Sequence, residues 1–292
     1  MSSDYEQNYD PRQRRSMPLV ARFVPILLGL AAIGWMAIKG CQPAPFGRHQ
    51  IVELSPQEEQ ALGLQAFNET LSEARVVKGG MEVAEVKDVA KRLIAATKNP
   101  QFLAAIGVTP PDMKWAVEVV DSKEVNAFCL PGGKMVVYTG ILPVAKNEAG
   151  LATVLGHEIS HALGRHGAER MAQTKMANIA LQSANGSIAD MSPEQRQSVL
   201  QLLNAGAKYG IMSYGRGHES EADHMGLLLM AAAGFDPQES IHFWERMQEA
   251  TGNSQGRPEF MSTHPSHGTR INDLKGWMPD AMKIYAANRG KP

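Results

Sequence analysis

Residues 151–166 read LATVLGHEISHALGRH. The apolar LATVL ahead of the polar positions marks a buried helix rather than one with a solvated face. On such a helix His157 and His161, four apart, share a face and can hold one metal ion together. Glu158 is turned by about 100° from His157, so it reaches a water beside the metal and not the metal itself. Two imidazoles, an open position and a nearby carboxylate are what metal-assisted hydrolysis requires. The plainer reading is a core helix with two incidental histidines. Burying two imidazoles without partners is costly, and that favours the metal.

A third ligand must come from elsewhere in the chain. His166 is one candidate. In the spacing HExxHxxGxxH, Gly164 matches the glycine, but the third histidine would fall at Gly167, so His166 stands one position short. The better candidate is Glu219 in YGRGHESEADHMG, residues 214–226. Glu219 and Asp223 are again four apart, so Glu219 can bind the metal while Asp223 orients a histidine through its other ring nitrogen. Glu221 is the rival. It faces roughly 200° away from Glu219 and has no aspartate four residues later. A solvated charged face is the bland alternative, but Asp223 leads into the apolar MGLLLMAAAG. His218 and His224 are expected at the surface.

The chain has 292 residues, 43% of them hydrophobic and 20% charged, which excludes global disorder and a collagen-like repeat. A net charge of -1 gives no electrostatic footprint for nucleic acid. Two cysteines, Cys41 and Cys129, exclude a disulfide scaffold and a Cys-rich zinc site. Ser55, Pro56 and Glu58 form a capping box for a helix running to about Val77, and a second helix covers roughly residues 82–97. The β signal is confined to Trp115–Val120 and Lys134–Tyr138, with Pro131-Gly132-Gly133 as the turn between segments. Helices are then expected at about 147–185, 193–209, 213–233 and 237–250. The fold class is therefore α+β, helix-dominated, with one small antiparallel sheet.

Residues 1–18 are polar and expected to be disordered. Leu19–Ile38, LVARFVPILLGLAAIGWMAI, has the length of a single transmembrane helix, and the anchor is taken as 19–40. A cleaved signal peptide has a shorter apolar run that starts earlier. A lipoprotein signal ending at Cys41 is disfavoured by Lys39. Arg12, Arg14, Arg15 and Arg22 precede or open the run, which puts the N-terminus in the cytoplasm and the main domain on the periplasmic or extracytoplasmic side. Residues 41–54 read as a linker, and 55–292 as the catalytic domain.

With these residues in place, the chain resembles the zinc metallopeptidase family that includes HtpX, the CAAX prenyl proteases, BepA and LoiP. The resemblance rests on His157, Glu158 and His161, then Glu219 and Asp223. VNAFCLPGGKMVVYTGIL at 125–142, GFDP at 234–237 and STHPSHGTRI at 262–271 add to it. It covers about residues 50 to 275. One departure is Tyr214-Gly215-Arg216, where the family often has Tyr-Ser-Arg. The resemblance implies a zincin-like fold, one Zn2+ per chain, protein or peptide substrates and Glu158 as the catalytic base. It also implies that His264 can occupy the fourth zinc position as an inhibitory latch, with His267 the weaker candidate. The segment from Asn126 to Tyr138 is expected to supply an edge strand beside the metal that pairs with an extended peptide. Tyr214 and Arg216 are candidate oxyanion contacts, and a structural ion pair serves Arg216 equally well. Cys129 is read as a small buried residue. The expected function is a membrane-anchored zinc endopeptidase of misfolded or misassembled envelope proteins. The competing class is a zinc-stabilised chaperone or scaffold without catalysis.

Overall fold

The computed structural model describes residues 18–189, 191–253, 259–264 and 269–290. The expected polar tail lies outside them but for Pro18. Helix α1 (Leu19–Gly40) is the apolar run, long and apolar enough from Val20 to Gly40 to cross a membrane. Leu27, Leu28, Leu30 and Trp35 on it are exposed. The stretch expected as a linker is folded. Strand β1 (Cys41–Pro43) pairs antiparallel with β2 (His49–Ile51) around a tight turn in which Phe46 and Gly47 have positive φ.

Helix α2 (Pro56–Glu73) starts with the expected Ser55–Glu58 capping box. It stops short of Val77 because the chain there turns to sheet pairing: Val77 N–H donates to Val119 O, and Asp121 N–H to Arg75 O. Helix α3 (Met81–Ala96) lies where the pattern put it, and α4 (Pro100–Ile106) follows under an Asn99 cap. Strands β3 (Ala116–Val120), β4 (Ala127–Leu130) and β5 (Lys134–Tyr138) form a sheet of order β3-β5-β4. It is mixed, not antiparallel. The Pro131–Gly133 turn joins β4, rather than β3, to β5, and β3 then pairs with β5 in parallel. Gly132 and Gly133 both have positive φ, which the turn needs and glycine allows without steric cost.

After α5 (Leu142–Ala145), helix α6 (Glu148–Leu163) is buried at every position from Gly150 to Ser160, as its apolar lead predicted. The helix expected over 147–185 is broken, however, and resumes as α7 (His166–Ser187). The break falls at Arg165, which has φ 56. A non-glycine residue there costs on the order of 1–3 kcal/mol. Hydrogen bonds from its buried guanidinium to Glu59, Gln42 and Leu54 O offset that cost. Helix α7 also carries α1: Gly29 has no room for a Cβ beside Ser183, and Gly186 sits against Pro25.

The two helices expected at 193–209 and 213–233 are one, α8 (Pro193–Ala232), opened by a Ser192 capping box. Its glycines at 215 and 217 have open space and do not interrupt it. Helices α9 (Glu239–Asn253), α10 (Glu259–Thr263) and α11 (Arg270–Asn288) complete the chain. The core lies between α3, α6, α8, α9 and the sheet, with Leu93, Leu155, Ile159, Met225, Phe243 and Trp244 fully enclosed. Helices α6 and α8 meet glycine on glycine. A Cβ on Gly226 would stand 3.0 Å from His157 N, and one on Gly156 3.2 Å from Gly226 O. That close approach lets the short acidic side chains of α8 reach the histidines of α6.

Candidate metal centre

His157 and His161 project from α6 toward Glu219 of α8, and His264 arrives at the end of α10. His157 Nε2 is 3.0 Å from His161 Nε2, 3.2 Å from His264 Nδ1 and 3.3 Å from Glu219 Oε2. Glu219 is 3.3 Å from His161 Nε2 and 3.2 Å from His264 Nδ1. Four donors bonded tetrahedrally to zinc at 2.0–2.1 Å stand about 3.3 Å apart. The observed spacings match that edge, and the donor set, three imidazoles and one carboxylate, suits zinc. The residues present therefore fit the ion.

Asp223 Oδ1 lies 2.9 Å from His157 Nδ1, on the side of the ring away from the converging donors. Burial lowers the His157 basicity, but Asp223 and Glu219 outweigh it and carry the ring up to about 10. Carboxylates at both ring nitrogens, Asp223 at Nδ1 and Glu219 at Nε2, favour positive charge at the ring. A proton serves one line between two atoms, whereas a divalent ion serves all four donors. Burial raises the Glu219 and Asp223 carboxyls less than their partners lower them: His157, His161 and His264 for Glu219, Arg270 and His157 for Asp223. Burial holds His161 well below the ordinary histidine range.

Glu158 stands beside the cluster and outside its donor set. Its Oε2 accepts from Cys129 N–H at 3.2 Å, and its Oε1 is 3.4 Å from His264 Nε2. The carboxyl is 2% exposed, and burial raises its pKa. The backbone donor comes from β4, whose other edge pairs with β5, so the free edge of the sheet faces the site. Asn126 is buried just ahead of β4, with its Oδ1 unpaired among the described residues. Cys129 is half-buried, and burial pushes its thiol up.

Other expectations fare differently. Tyr214 lies in α8 with its side chain outside the described residues, and His267 is itself outside them. Arg216 is exposed and joins none of the described contacts of the cluster. His218 and His224 are not surface residues. His218 is 2% exposed, and its Nε2 donates to Glu169 Oε2 at 3.0 Å. His224 is sandwiched between Phe46 and Trp277 at 4.2 and 4.4 Å. Both failures share one cause: helix periodicity marks which residues share a face, not what later segments cover. Arg270 was missed. It packs over Trp244 and bonds both Asp223 Oδ2 (2.6 Å) and Glu219 Oε2 (3.2 Å). Its signal was a charge at the head of an amphipathic run in GTRI, a weak one.

A helix carrying HExxH, a second helix returning a carboxylate and an aspartate behind the first histidine define a metallopeptidase of the zincin-like class. The chain belongs to peptidase family M48, whose pattern matches residues 83–278. It is 36% identical to the mitochondrial metalloendopeptidase OMA1 of Schizosaccharomyces pombe, over 80% of this chain and 65% of that one. To the human mitochondrial metalloendopeptidase OMA1 it is 30% identical, over 89% of this chain and 51% of the relative. To the beta-barrel assembly-enhancing protease of Yersinia pestis it is 28% identical, over 86% and 50%. The chain thus spans about half to two thirds of the length of these curated relatives.

Proposed function

We propose that this chain is a membrane-anchored zinc endopeptidase that cuts misfolded or misassembled proteins of the cell envelope. The observation that carries the reading is the convergence of His157, His161, Glu219 and His264 at tetrahedral spacing beside Glu158. His157, His161 and Glu219 hold the metal, and His264 takes the remaining position at rest. Zinc bound there supplies a Lewis acid that polarises a scissile carbonyl and acidifies a water. Glu158 accepts the proton of that water and returns it to the leaving amine, and its raised pKa suits both roles. Asp223 holds the His157 ring, and Arg270 neutralises the paired carboxylates. A substrate strand pairs along the free edge of β4, with Asn126 as a further contact.

A non-catalytic scaffold has no use for Glu158, a buried carboxyl that is outside the converging donors and, among the described residues, forms no ion pair with Lys or Arg. The relatives are named as proteases and mitochondrial metalloendopeptidases, which supports proteolysis. Anchoring rests on α1, and the arginines at its N-terminal side support a catalytic domain outside the cytoplasm. The purified full chain should cleave casein or itself, stop with chelator and resume with added zinc. Activity that persists after complete metal removal overturns the proposal.

Glu219→Ala is expected to bind zinc far more weakly, because it removes the one anionic donor of the set and leaves the Arg270 guanidinium facing the metal position without its carboxylate. Glu221→Ala should still fill with zinc when the metal is in excess, because Glu221 lies outside that set. Metal content after gel filtration in excess zinc separates the two. The reverse pattern would mean that the carboxylate donor is misassigned by two residues.

A further inference from the structure

His166 stands one residue short of the spacing that would make it a ligand, and it is 1% exposed. Its Nδ1 lies 2.8 Å from His161 Nδ1. Its Nε2 lies 2.9 Å from Glu221 Oε1. Glu221 is held in turn by Arg48, whose Nε donates to Oε2 at 2.8 Å. Arg48 also donates to both oxygens of Glu169 at 2.9 Å, and Glu169 bonds His218. The rings of His166 and His218 stack 4.4 Å apart and 7° from parallel.

The tautomers in this chain of contacts are fixed by one another. A neutral His161 that offers its Nε2 lone pair to a metal carries its hydrogen on Nδ1. That hydrogen points at His166 Nδ1, which must therefore accept. The His166 hydrogen is then on Nε2, and its nearest acceptor is Glu221. Each hydrogen has one acceptor, and the line ends on a carboxylate neutralised by Arg48. His157 has its carboxylate in direct contact, Asp223; His161 has an imidazole interposed. The sequence explains the difference. Glu221 is two residues beyond Glu219 on α8 and cannot share the face that reaches α6, so a ring from α7 closes the gap.

We propose that His166 is a positioning residue for the metal. It sets the tautomer and orientation of His161 and relays the charge of Glu221 to it, with Arg48 of the β1–β2 ribbon as the anchor of the line. This rests on the zinc reading above. Groups behind a metal-bound histidine change metal affinity or activity by about 10–100-fold.

The test is a zinc dissociation constant for the full chain in detergent, from competition with a chromogenic chelator, together with the spectrum of the cobalt-substituted protein. His166→Phe keeps the stack on His218 and removes both nitrogens. It should weaken zinc by about 10–100-fold and shift the cobalt bands. His166→Asn places an amide oxygen near the position of Nδ1 and should recover part of the loss. Glu221→Gln keeps an acceptor without charge and should fall between wild type and His166→Phe. The melting temperature of the metal-free proteins separates a local effect from unfolding. Wild-type affinity and an unchanged cobalt spectrum in His166→Phe would overturn the proposal. If that variant does not fold, wild-type affinity in Glu221→Gln overturns it instead. A wild-type chain that takes up no zinc overturns the metallopeptidase reading, and this one with it.

Discussion

Glu158→Gln is expected to keep one zinc per chain and to lose peptide hydrolysis by roughly 10²–10⁴-fold, the usual contribution of a positioned general acid–base group. The amide is nearly isosteric with the carboxylate. Its oxygen still accepts from Cys129 N–H, so the local packing and the approach of β4 are kept. None of the converging donors is touched, because Glu158 is not among His157, His161, Glu219 and His264. What disappears is the ability to take a proton from water, and with it the means to hand that proton to the leaving amine. Metal analysis and turnover on one preparation decide the matter. A variant with full zinc and undiminished kcat would remove Glu158 from the chemistry. A variant that loses zinc as well would show that Glu158 helps to hold the site together.

The part of this site that was legible in the sequence is the part written as local spacing on a helix. His157, Glu158 and His161 are set by one turn of α6, and Glu219 and Asp223 by one turn of α8. The apolar flanks of each motif required burial, and both segments are buried about the motif. What was not legible depends on contacts between distant segments. Arg270 reaches Glu219 and Asp223 from 51 and 47 residues away, and Arg48 reaches Glu221 from 173. No periodicity encodes such pairings. The break at Arg165 escaped notice for a similar reason. An arginine in left-handed backbone is unfavourable by itself, and only its distant partners Glu59, Gln42 and Leu54 make it worthwhile. The sheet was misread because a turn signal such as Pro131-Gly132-Gly133 fixes which strand follows the turn, not which strand lies on the far side.

His264→Ala is expected to raise basal proteolysis by roughly tenfold to a hundredfold, the gain if about 1–3 kcal/mol hold the resting site closed. At rest His264 Nδ1 lies 3.2 Å from both His157 Nε2 and Glu219, within the donor set. On the latch reading a peptide carbonyl takes the same position, and the ring would have to withdraw before substrate could bind. The ring is also held by its surroundings. Phe260 packs against it with centroids 4.7 Å apart, and His264 N–H donates to Phe260 O at 2.9 Å. Phe260 N–H in turn donates to Val125 O at 3.1 Å, just ahead of Asn126 and β4. The helix that carries the ring is therefore tied to the approach of the very strand on which a substrate would pair. A peptide that displaces α10 from Val125 would draw His264 out of the site, which couples substrate arrival to opening. Removing the imidazole leaves His157, His161 and Glu219 in place, and three protein ligands suffice for a catalytic zinc. Zinc content should stay near one per chain, while self-cleavage and casein turnover at subsaturating substrate rise, chiefly through a lower KM. A His264→Ala protein with full zinc and lower turnover than wild type would assign the ring to substrate or transition-state binding and end the latch reading.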